Sequence, residues 1–425
     1  MGDIVLISAI KREKCIVCNT SLGKDHVLIG NQYPSAVFPK VDSDYKKEMP
    51  PSSLNLTKCI NHDCGLVQLS YEYNLDYVFE NYPYESASTA TMVDKLQDIV
   101  DETESIINLN ENDTVLDIGG NDGSMLNLMK TDIKKRINFD AAVGVESVFS
   151  SPNYHRIEGL FSAEDYKAHG FDNPKLIYSV AMFYHLNDPV QFCKEVKSIM
   201  NDDTVWCIQM TYLGTMLQDN IYDNIVHEHV TYYSLKSLSF LLGSLGMEII
   251  KAKLVDSYGG SLRVHVVKKN KSNNKLESDV IAYEKKFEIN KLSSVIAFNE
   301  RIQTIKEATK NLINHIVEEN GKLVALGAST KGNMICQFVG IGTDKIKYIL
   351  DNNHKKIGLI TTGTEIPIVE ESSYLRNVPK YILILPYYYN DFFIELIRKK
   401  LPKGGISYLI VPLPVPYIVK VESNL

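Results

Sequence analysis

The sequence lacks long apolar runs, an excess of positive charge and a dense set of cysteines. No run reaches the roughly 18–20 apolar residues that a membrane-spanning helix needs, so we expect no membrane partner. There are 45 Lys and Arg residues against 52 Asp and Glu, a net charge of −7. Because non-specific nucleic-acid binding depends on basic residues that displace counterions, we expect no nucleic-acid partner either. Seven cysteines in 425 residues are too few for a disulfide scaffold. No basic stretch precedes the first short apolar patch, so we predict no signal peptide and a cytoplasmic location.

Strand and helix patterns alternate along two stretches of the chain. Strand patterns occur at TVLDIGG, AAVGVES, KLIYSVAMFYHL and TVWCIQM, and again at KLVALGAS, KIKYILD, KYILILP and GISYLIVPLP. A long amphipathic helical region, 281–316, lies between the two series. Such alternation predicts parallel sheets with helices on both faces. We therefore predict an α/β protein with a small N-terminal module over 1–75, a central doubly wound domain over 76–270, and a helical linker with a second, Rossmann-like domain over 271–425.

Four of the cysteines lie in the N-terminal module as two pairs, Cys15 with Cys18 and Cys59 with Cys64. Two Cys pairs on separate loops are typical of a tetrahedral structural zinc site, and a cytosolic setting disfavours disulfides. A segment this short buries little core by itself, so a bound metal would supply the stability that it lacks. The second pair is more widely spaced than CxxC, so His62 could replace one thiolate. Four unlinked thiols are the alternative.

The first strand of the central domain ends in an acidic residue and a glycine turn. Asp117, Gly119 and Gly123 form D-x-G-x-x-x-G, which lacks the spacing of the dinucleotide fingerprint. Glycines let the backbone approach a ligand, and a helix N-terminus offers free N–H groups. Glu146, in the segment predicted as the next strand, is placed to accept the ribose hydroxyls. A carboxylate repels phosphate, so the pattern favours S-adenosylmethionine, a sulfonium without phosphate. A plain strand–turn–helix with an Asp cap is the alternative.

The densest ionisable cluster of the central domain is His227, Glu228 and His229. Histidine is the side chain best suited to take a proton near neutral pH. His185 follows the fourth predicted strand and lies towards the same carboxyl edge, where open α/β sheets bind ligands. Surface histidines in a loop are the alternative interpretation.

A second strand–glycine–helix pattern carries groups suited to phosphate: backbone N–H groups, two hydroxyls and a lysine. These residues are Gly327, Ser329, Thr330 and Lys331. The next predicted strand ends at Asp351, near the offset expected of a ribose-binding acid. The anion could belong to a nucleotide-sugar or to NADP. A domain that only closes the cleft is the alternative.

Taken together, these motifs resemble those of the sugar C-methyltransferases of deoxysugar biosynthesis. The motifs are CIVC…CINHDCGLVQL, YPYESAS, VLDIGGNDGS, GVES, the HEH of IVHEHVTYYS, GGSLRVHV, GASTKGN and LDNNHKKIGLITTGTEIPI. The resemblance covers nearly the whole chain. It implies an N-terminal zinc module, a central Rossmann-like methyltransferase domain that binds S-adenosylmethionine, and a C-terminal Rossmann-like domain.

The resemblance also implies a reaction: methylation of C3 of a nucleotide-diphospho 4-keto-6-deoxyhexose. The ketone acidifies the adjacent C–H, a base removes that proton, and the enolate attacks the sulfonium methyl. By resemblance His229 is the base, and Glu228 and His185 orient it or stabilise the enolate. Tyr84, in YPYESAS, would lie against the sugar. Zinc would then be structural.

An alternative follows from a departure from the family pattern near the end of the chain. ILILPYYYNDF replaces a Trp-Asn pattern, and Tyr387, Tyr388 and Tyr389 add phenols at the edge of the second sheet. With Asp351 and the lysines after it, they favour a bifunctional enzyme, or a reductase alone, that binds NADP and reduces the C4 ketone. A non-enzymatic zinc-ribbon binding protein is a third hypothesis.

Overall fold

A computed structural model describes residues 9–73, 90–142, 145, 147–148, 151–257, 259–269, 276 and 278–423, with Ala90, Thr91, Ser373 and Tyr374 described by their backbone alone. The predicted α/β class is confirmed, since two parallel-rich sheets dominate the fold. Over the ranges just given, no helix is both long enough and apolar enough to cross a bilayer.

The N-terminal module is built from short antiparallel strands and one helical turn. The strands are β1 Ala9–Lys11, β2 Asn31–Gln32, β3 Ser52–Ser53, β4 Leu56–Lys58, β5 Val67–Leu69 and β6 Tyr71–Tyr73, and the helix is α1 Tyr45–Glu48. β1 pairs with β6, and β2 pairs with β3. β5 lies between β4 and a two-residue strand of the central domain, Thr231–Tyr232. The module therefore holds the chain directly after the histidine cluster.

The central domain contains a seven-stranded sheet. Its strands are β7 Thr114–Ile118, β8 Lys135–Asp140, β9 Tyr154–Glu158, β10 Leu176–Val180, β11 Val205–Thr211, β13 Met247–Val255 and β14 Ser261–Lys268, where β12 is the short strand Thr231–Tyr232. The spatial order is β13-β14-β11-β10-β7-β8-β9. Only β14 runs antiparallel to its neighbours. The turns that follow β7, β8 and β10 thus meet at one carboxyl edge.

Among the described residues, six helices belong to this sheet. They are α2 Ala90–Ile106, α3 Ser124–Asn127, α4 Ala163–Ala168, α5 Pro189–Ile199, α6 Leu213–Gln218 and α7 Leu235–Ser244. α5 shows why they form where they do: Asp188 accepts the N–H of Gln191 at 2.9 Å and proline occupies the first helical position. Its apolar residues recur at helical spacing, so Phe192 and Val196 share one buried face.

The described part of the chain after β14 begins with two helices, α8 Val280–Lys286 and α9 Leu292–Asn320, and continues into a second sheet. The strands of this sheet are β15 Leu323–Leu326, β16 Ile346–Asp351, β17 Ile368–Glu370, β18 Tyr381–Ile384, β19 Ile406–Val411 and β20 Tyr417–Glu422. The helices between its strands are α10 Thr330–Val339, α11 Glu371–Tyr374 and α12 Asn390–Lys400. The order is β17-β16-β15-β18-β19-β20, and only β20 is antiparallel. Short 3₁₀ helices occur at Phe183–His185, Tyr222–Asn224 and Tyr387–Tyr389.

One predicted strand is wrong. The segment AAVGVES was predicted as the second strand of the central sheet, but that strand is β8, Lys135–Asp140, and Ala141 and Ala142 already lie beyond it. KRINFD buries five of its six residues despite its charges. The apolar pattern of the following segment was the stronger signal in sequence, whereas tertiary pairing with β7 and β9 selects the earlier one.

All three parts pack around the loop that carries the histidine cluster. A single apolar core joins residues of the N-terminal module, this loop, α9 and α10, among them Leu56, Tyr222, Phe298 and Phe338. Arg301 of α9 donates from Nε to Asn220 Oδ1 at 2.8 Å. The loop is thus fixed from several sides before any ligand binds.

Candidate active site

The first glycine turn lies where the sequence predicted, between β7 and α3. Gly119 donates its N–H to the carbonyl of Phe139 on the neighbouring strand at 2.7 Å. Gly123 has φ +80°, and a Cβ there would come within 2.5 Å of the Tyr154 hydroxyl. Glycine is required at this position by both the backbone angle and the space. The turn consequently brings bare backbone to the carboxyl edge of β7.

Asp117 lies beneath this turn and is 1% exposed. Neither of its carboxylate oxygens has a hydrogen-bond partner among the described residues. Burial, followed by the nearby charges of Asp140 and Asp122, raises the pKa of Asp117 to about 8. A buried carboxylate without partners is costly, and a cationic or hydroxyl-bearing ligand would satisfy it. The donor set therefore fits S-adenosylmethionine.

The carboxylate at the end of the neighbouring strand is Asp140, which sequence reasoning missed. Asp140 is the last residue of β8, which lies earlier in the chain than the strand predicted at AAVGVES. Asp140 accepts the backbone N–H of Asn121 and of Ala142, each at 2.7 Å, and so holds the turn against the strand. Glu146, the predicted ribose ligand, lies outside the described residues. Tyr84 lies outside them as well.

The three residues of the HEH cluster occupy different environments. His227 is fully buried, with Nε2 3.2 Å from Ser52 Oγ and its ring edge-on to Tyr73 at 4.7 Å. It joins the loop to the N-terminal module. Glu228 is also buried, and desolvation raises its pKa to about 7. His229 alone is half-buried, so it is the member of the cluster that a ligand can reach.

His229 and His185 come together although 44 positions separate them in the sequence. Their rings stack, with centroids 5.3 Å apart and planes inclined by 19°. Tyr184 meets both imidazoles edge-on, each at 4.5 Å. His185 lies in the 3₁₀ helix after β10, which places this aromatic group at the carboxyl edge of the sheet. The site therefore combines two imidazoles and a phenol ring.

The hydrogen bond of His229 fixes its tautomer. Nδ1 lies 2.7 Å from the backbone carbonyl oxygen of Asn224. Because a carbonyl only accepts, Nδ1 carries the proton and Nε2 holds a lone pair. Burial lowers the pKa of His229 well below its usual value, with smaller effects from His185 and Lys331. The ring is therefore neutral near pH 7 and can accept a proton at Nε2.

In the second glycine turn, internal contacts already occupy several predicted ligand groups. A Cβ on Gly327 would lie 2.4 Å from Pro386, so the turn packs tightly against the chain after β18. Ser329 caps α10 by accepting the N–H of Gly332 at 2.9 Å. Asp351 accepts the N–H groups of Ala328 and Asn353 at 2.7 and 2.8 Å. Thr330 begins α10, and its backbone N–H points to the N-terminal end of that helix.

Lys331 lies near the histidine loop rather than in an isolated C-terminal site. Its ammonium lies over the Tyr388 ring, 5.2 Å from the centroid. Its charge acts on His229 and on Asp223, a fully buried residue of the histidine loop. Tyr387 donates its hydroxyl to Asp223 Oδ1 at 3.2 Å. Asp223 belongs to no recognisable sequence motif. Its place near the histidines becomes evident only from the packing of α10 on the loop.

A cavity of about 360 Å³ separates the N-terminal module from the turn after β16. We call it the lysine cleft. Its lining includes Lys40, Lys355, Lys356, Phe38 and Tyr45. Lys356 donates from Nζ to the carbonyl of Ala328 at 2.8 Å and lies over the Phe38 ring. The cleft therefore begins beside the second glycine turn and offers positive charge and aromatic faces together.

The four cysteines of the N-terminal module converge, as the spacing predicted. Sγ atoms of Cys15 and Cys64 are 3.8 Å apart, those of Cys18 and Cys59 are 3.4 Å apart, and all four lie within 4.8 Å of one another. Tetrahedral zinc with bonds of about 2.3 Å would separate its sulfurs by about 3.8 Å. The donor set thus fits a structural zinc ion. His62 points away, with a side chain 93% exposed, so its suggested role as a ligand is wrong.

Comparison with known proteins agrees with this architecture. Residues 256–414 match the family model described as the C-methyltransferase C-terminal domain, and residues 88–252 match a methyltransferase domain. C-methyltransferase NovU of Streptomyces niveus is 26% identical over 368 residues, which span 85% of this chain and 87% of NovU.

Solved structures resemble a smaller part of the chain. One is a chain of the complex between the Haloferax volcanii Trm112 methyltransferase activator and a methyltransferase. It is 14% identical to this chain, the matched region covers 43% of this chain and 93% of that chain, and the TM-score is 0.36. Another is an S-adenosylmethionine-dependent methyltransferase from Listeria monocytogenes. It is 11% identical, the matched region covers 40% of this chain and 97% of that chain, and the TM-score is 0.30.

The two matched domains, in this order, define an S-adenosylmethionine-dependent methyltransferase. Together with the similarity to NovU, these matches support the resemblance to sugar C-methyltransferases found in the motifs.

Proposed function

We propose that this C-methyltransferase methylates C3 of a nucleotide-diphospho 4-keto-6-deoxyhexose in deoxysugar biosynthesis, with His229 as the base. The observation that carries the proposal is the half-buried His229, whose Nδ1–H is bound to the Asn224 carbonyl and whose Nε2 is left to accept a proton. Carbon acids beside a ketone need such a base near neutral pH. His185 and Tyr184 pack against the ring and hold its orientation.

The reaction uses these groups in a simple order. His229 Nε2 takes the C3 proton, and the C–H electron pair becomes an enolate with its charge on the C4 oxygen. When bound, S-adenosylmethionine supplies an electrophilic methyl group. We propose that Glu228, which is buried and has its pKa raised to about 7 by burial, orients His229 or stabilises the enolate.

The function is tested with methyl-labelled S-adenosylmethionine and the 4-keto nucleotide-sugar. We expect label in the sugar at C3, detected by mass spectrometry and NMR. The matched control is the same nucleotide-sugar with a hydroxyl at C4, which cannot form the enolate and should remain unlabelled. Equal labelling of both sugars, or of neither, would refute the proposed chemistry.

Asp117 is expected to contribute to binding of S-adenosylmethionine in its ionised form. Its pKa, raised to about 8 by burial, means that the protein without ligand holds it largely protonated at pH 7. A cationic ligand binds the ionised form better, so the Asp117 contribution grows as pH rises through 8 and disappears well below it. We expect Asp117→Asn to raise Kd by about 10–100-fold at pH 8.5, and by less at pH 6.5.

Calorimetry at both pH values measures this effect. Because the amino group of the ligand titrates in the same range, the ratio of variant to wild-type Kd is the quantity to compare. Asp132→Asn, an exposed carboxylate of the same domain, is the control and should leave Kd unchanged. A ratio independent of pH would show that Asp117 does not meet the cation.

The lysine cleft is the proposed site for the nucleotide diphosphate. It lies beside the second glycine turn, because Lys356 of its lining donates to the carbonyl of Ala328. Lysines match the phosphate charge, and Phe38 and Tyr45 offer aromatic faces to a base. In this proposal the C-terminal domain binds the substrate through the lysine cleft.

Removal of two cleft charges should weaken substrate binding. We expect Lys40→Met/Lys355→Met to raise KM for the nucleotide-sugar about tenfold at low salt, with kcat and S-adenosylmethionine affinity retained. Both lysines are exposed, so the effect should shrink as salt screens them. Lys310→Met/Lys347→Met, which removes two exposed lysines outside the cleft, is the matched control. An equal rise in KM for both pairs would point to general charge, not to this cleft.

The reductase alternative has less support from the geometry. Asp351 already accepts two backbone N–H groups, and Pro386 closes over Gly327, where a dinucleotide would need bare backbone. Titration with NADPH tests the point directly. Binding together with loss of NADPH absorbance on addition of the keto sugar would establish the second activity.

A further inference from the structure

A buried carboxylate faces the boundary between the histidine loop and the C-terminal domain. Asp223 lies in the 3₁₀ helix Tyr222–Asn224 and has no exposed surface. Its Oδ1 accepts the Tyr387 hydroxyl at 3.2 Å, whereas Oδ2 is buried without a hydrogen-bond partner among the described residues. The backbone carbonyl of the next residue, Asn224, accepts the Nδ1–H of His229. Asp223 is therefore rigidly connected to the proposed base.

Lys331 approaches the same place from the other domain. It is the second residue of α10, and α10 is docked on the loop by the Tyr222 and Phe338 rings, whose centroids are 4.7 Å apart. Its ammonium lies over the Tyr388 ring. The charge of Lys331 acts on both Asp223 and His229. The C-terminal domain thus places the Lys331 ammonium near the histidines at the carboxyl edge of the central sheet.

We infer that Lys331 is a catalytic residue supplied by the C-terminal domain, whose ammonium holds the C4 oxygen of the substrate, and that Asp223, anchored by Tyr387, is its positioning residue. This inference rests on the proposed function, because it assigns the group that stabilises the enolate.

The charges around the site favour this role over phosphate binding. His185 has its pKa lowered to about 3, and that of His229 is also lowered, so both rings are neutral near pH 7. The charge of Lys331 contributes to the lowered pKa of His229. Burial raises the pKa of Asp223, whereas Lys331 and the Tyr387 hydroxyl lower it; in its ionised form the Asp223 carboxylate would repel a phosphate but not a neutral ketone. An ammonium aimed at the developing oxyanion stabilises the transition state more than the ground state.

The step balances without a further reactant. His229 takes the C3 proton, the C3–H electron pair forms the C3–C4 double bond, and the carbonyl pair moves onto the C4 oxygen. Lys331 donates a hydrogen bond to that oxygen. The enolate then returns its electrons to C3 as the new C–CH₃ bond forms, and the C–S pair leaves with S-adenosylhomocysteine.

Proton exchange at C3 separates this role from substrate binding. The full-length enzyme is mixed with the 4-keto nucleotide-sugar in D₂O, and loss of the C3–H signal is followed by NMR, alongside methyl transfer. We expect Lys331→Met and Lys331→Gln to lower both kcat and the exchange rate by about 10²–10³-fold, with KM changed less than about threefold. Lys331→Arg should restore part of both rates. Asp223→Asn should lower both rates about tenfold.

Lys306→Met is the matched control, because its ammonium also lies over an aromatic ring, that of Phe338, 4.8 Å from the ring centroid. It should leave exchange and kcat unchanged. A rise in KM alone for both Lys331→Met and Lys331→Gln would assign Lys331 to the diphosphate and overturn the inference. Wild-type rates of exchange in these variants would overturn it as well. If the wild-type enzyme itself neither exchanges nor methylates, the proposed function fails instead.

Discussion

Replacement of His229 by Asn is expected to slow methyl transfer by about 10²–10⁴-fold, the usual contribution of a positioned proton-transfer group. The amide can keep the hydrogen bond to the Asn224 carbonyl, which is 2.7 Å from Nδ1 in the wild type. It offers no basic nitrogen to the substrate. Methyl transfer and C3 proton exchange should therefore fall together, whereas Kd for S-adenosylmethionine should stay within about twofold.

His227→Asn is the control for this experiment, since it removes the neighbouring imidazole of the same loop. His227 contacts Ser52 and Tyr73 of the N-terminal module and is fully buried. We expect it to lower thermal stability and to spare most of the exchange rate in the folded protein. A nearly normal rate for His229→Asn, with loss of exchange in His227→Asn, would show that the base is misassigned.

The second large effect concerns the four cysteines. Cys15→Ser should abolish zinc binding at the predicted site, because one of four converging thiolates is lost from a cluster with Sγ–Sγ distances of 3.4 and 3.8 Å. Structural zinc contributes about 10–16 kcal/mol to small domains. We expect a loss of about 3–5 kcal/mol in unfolding free energy. Metal analysis and thermal denaturation measure both quantities.

Destabilisation of the N-terminal module should also affect the active site, because the two are joined by strand pairing. β5 pairs with Thr231–Tyr232, directly after the histidine loop, so a loosened module should also lower kcat. Cys207→Ser is the matched control. It removes a buried thiol of β11 that belongs to a different apolar core from Cys15, Cys59 and Cys64, and should cost about 1–2 kcal/mol with zinc content retained. Full zinc content in Cys15→Ser would refute the ligand assignment.

Local pattern predicted the parts of the site that lie on one segment. Asp117 with its glycine turn, His185 after β10 and the four cysteines all lie where their spacing indicated. Each depends on features that neighbouring residues fix: a strand end, a turn that requires glycine, or two short loops brought together by a small sheet.

The same reasoning failed where distant contacts decide. AAVGVES has the better strand pattern, yet the strand is KRINFD, because pairing with β7 and β9 outweighs intrinsic preference. Asp140 was missed for that reason. Asp223 was missed because a lone aspartate in a loop carries no signal, and its burial comes from α10 and Tyr387.

The sequence by itself determined the chemistry that is available: two glycine turns, a histidine pair, a thiolate set and an alternation that forms two parallel-rich sheets. Only the tertiary structure decided which groups act together. Lys331 and His229 are 102 positions apart, and no periodicity relates them. They share one site because the rings of Tyr222 and Phe338 dock α10 on the histidine loop, and burial then lets the charge of Lys331 act on the His229 ring.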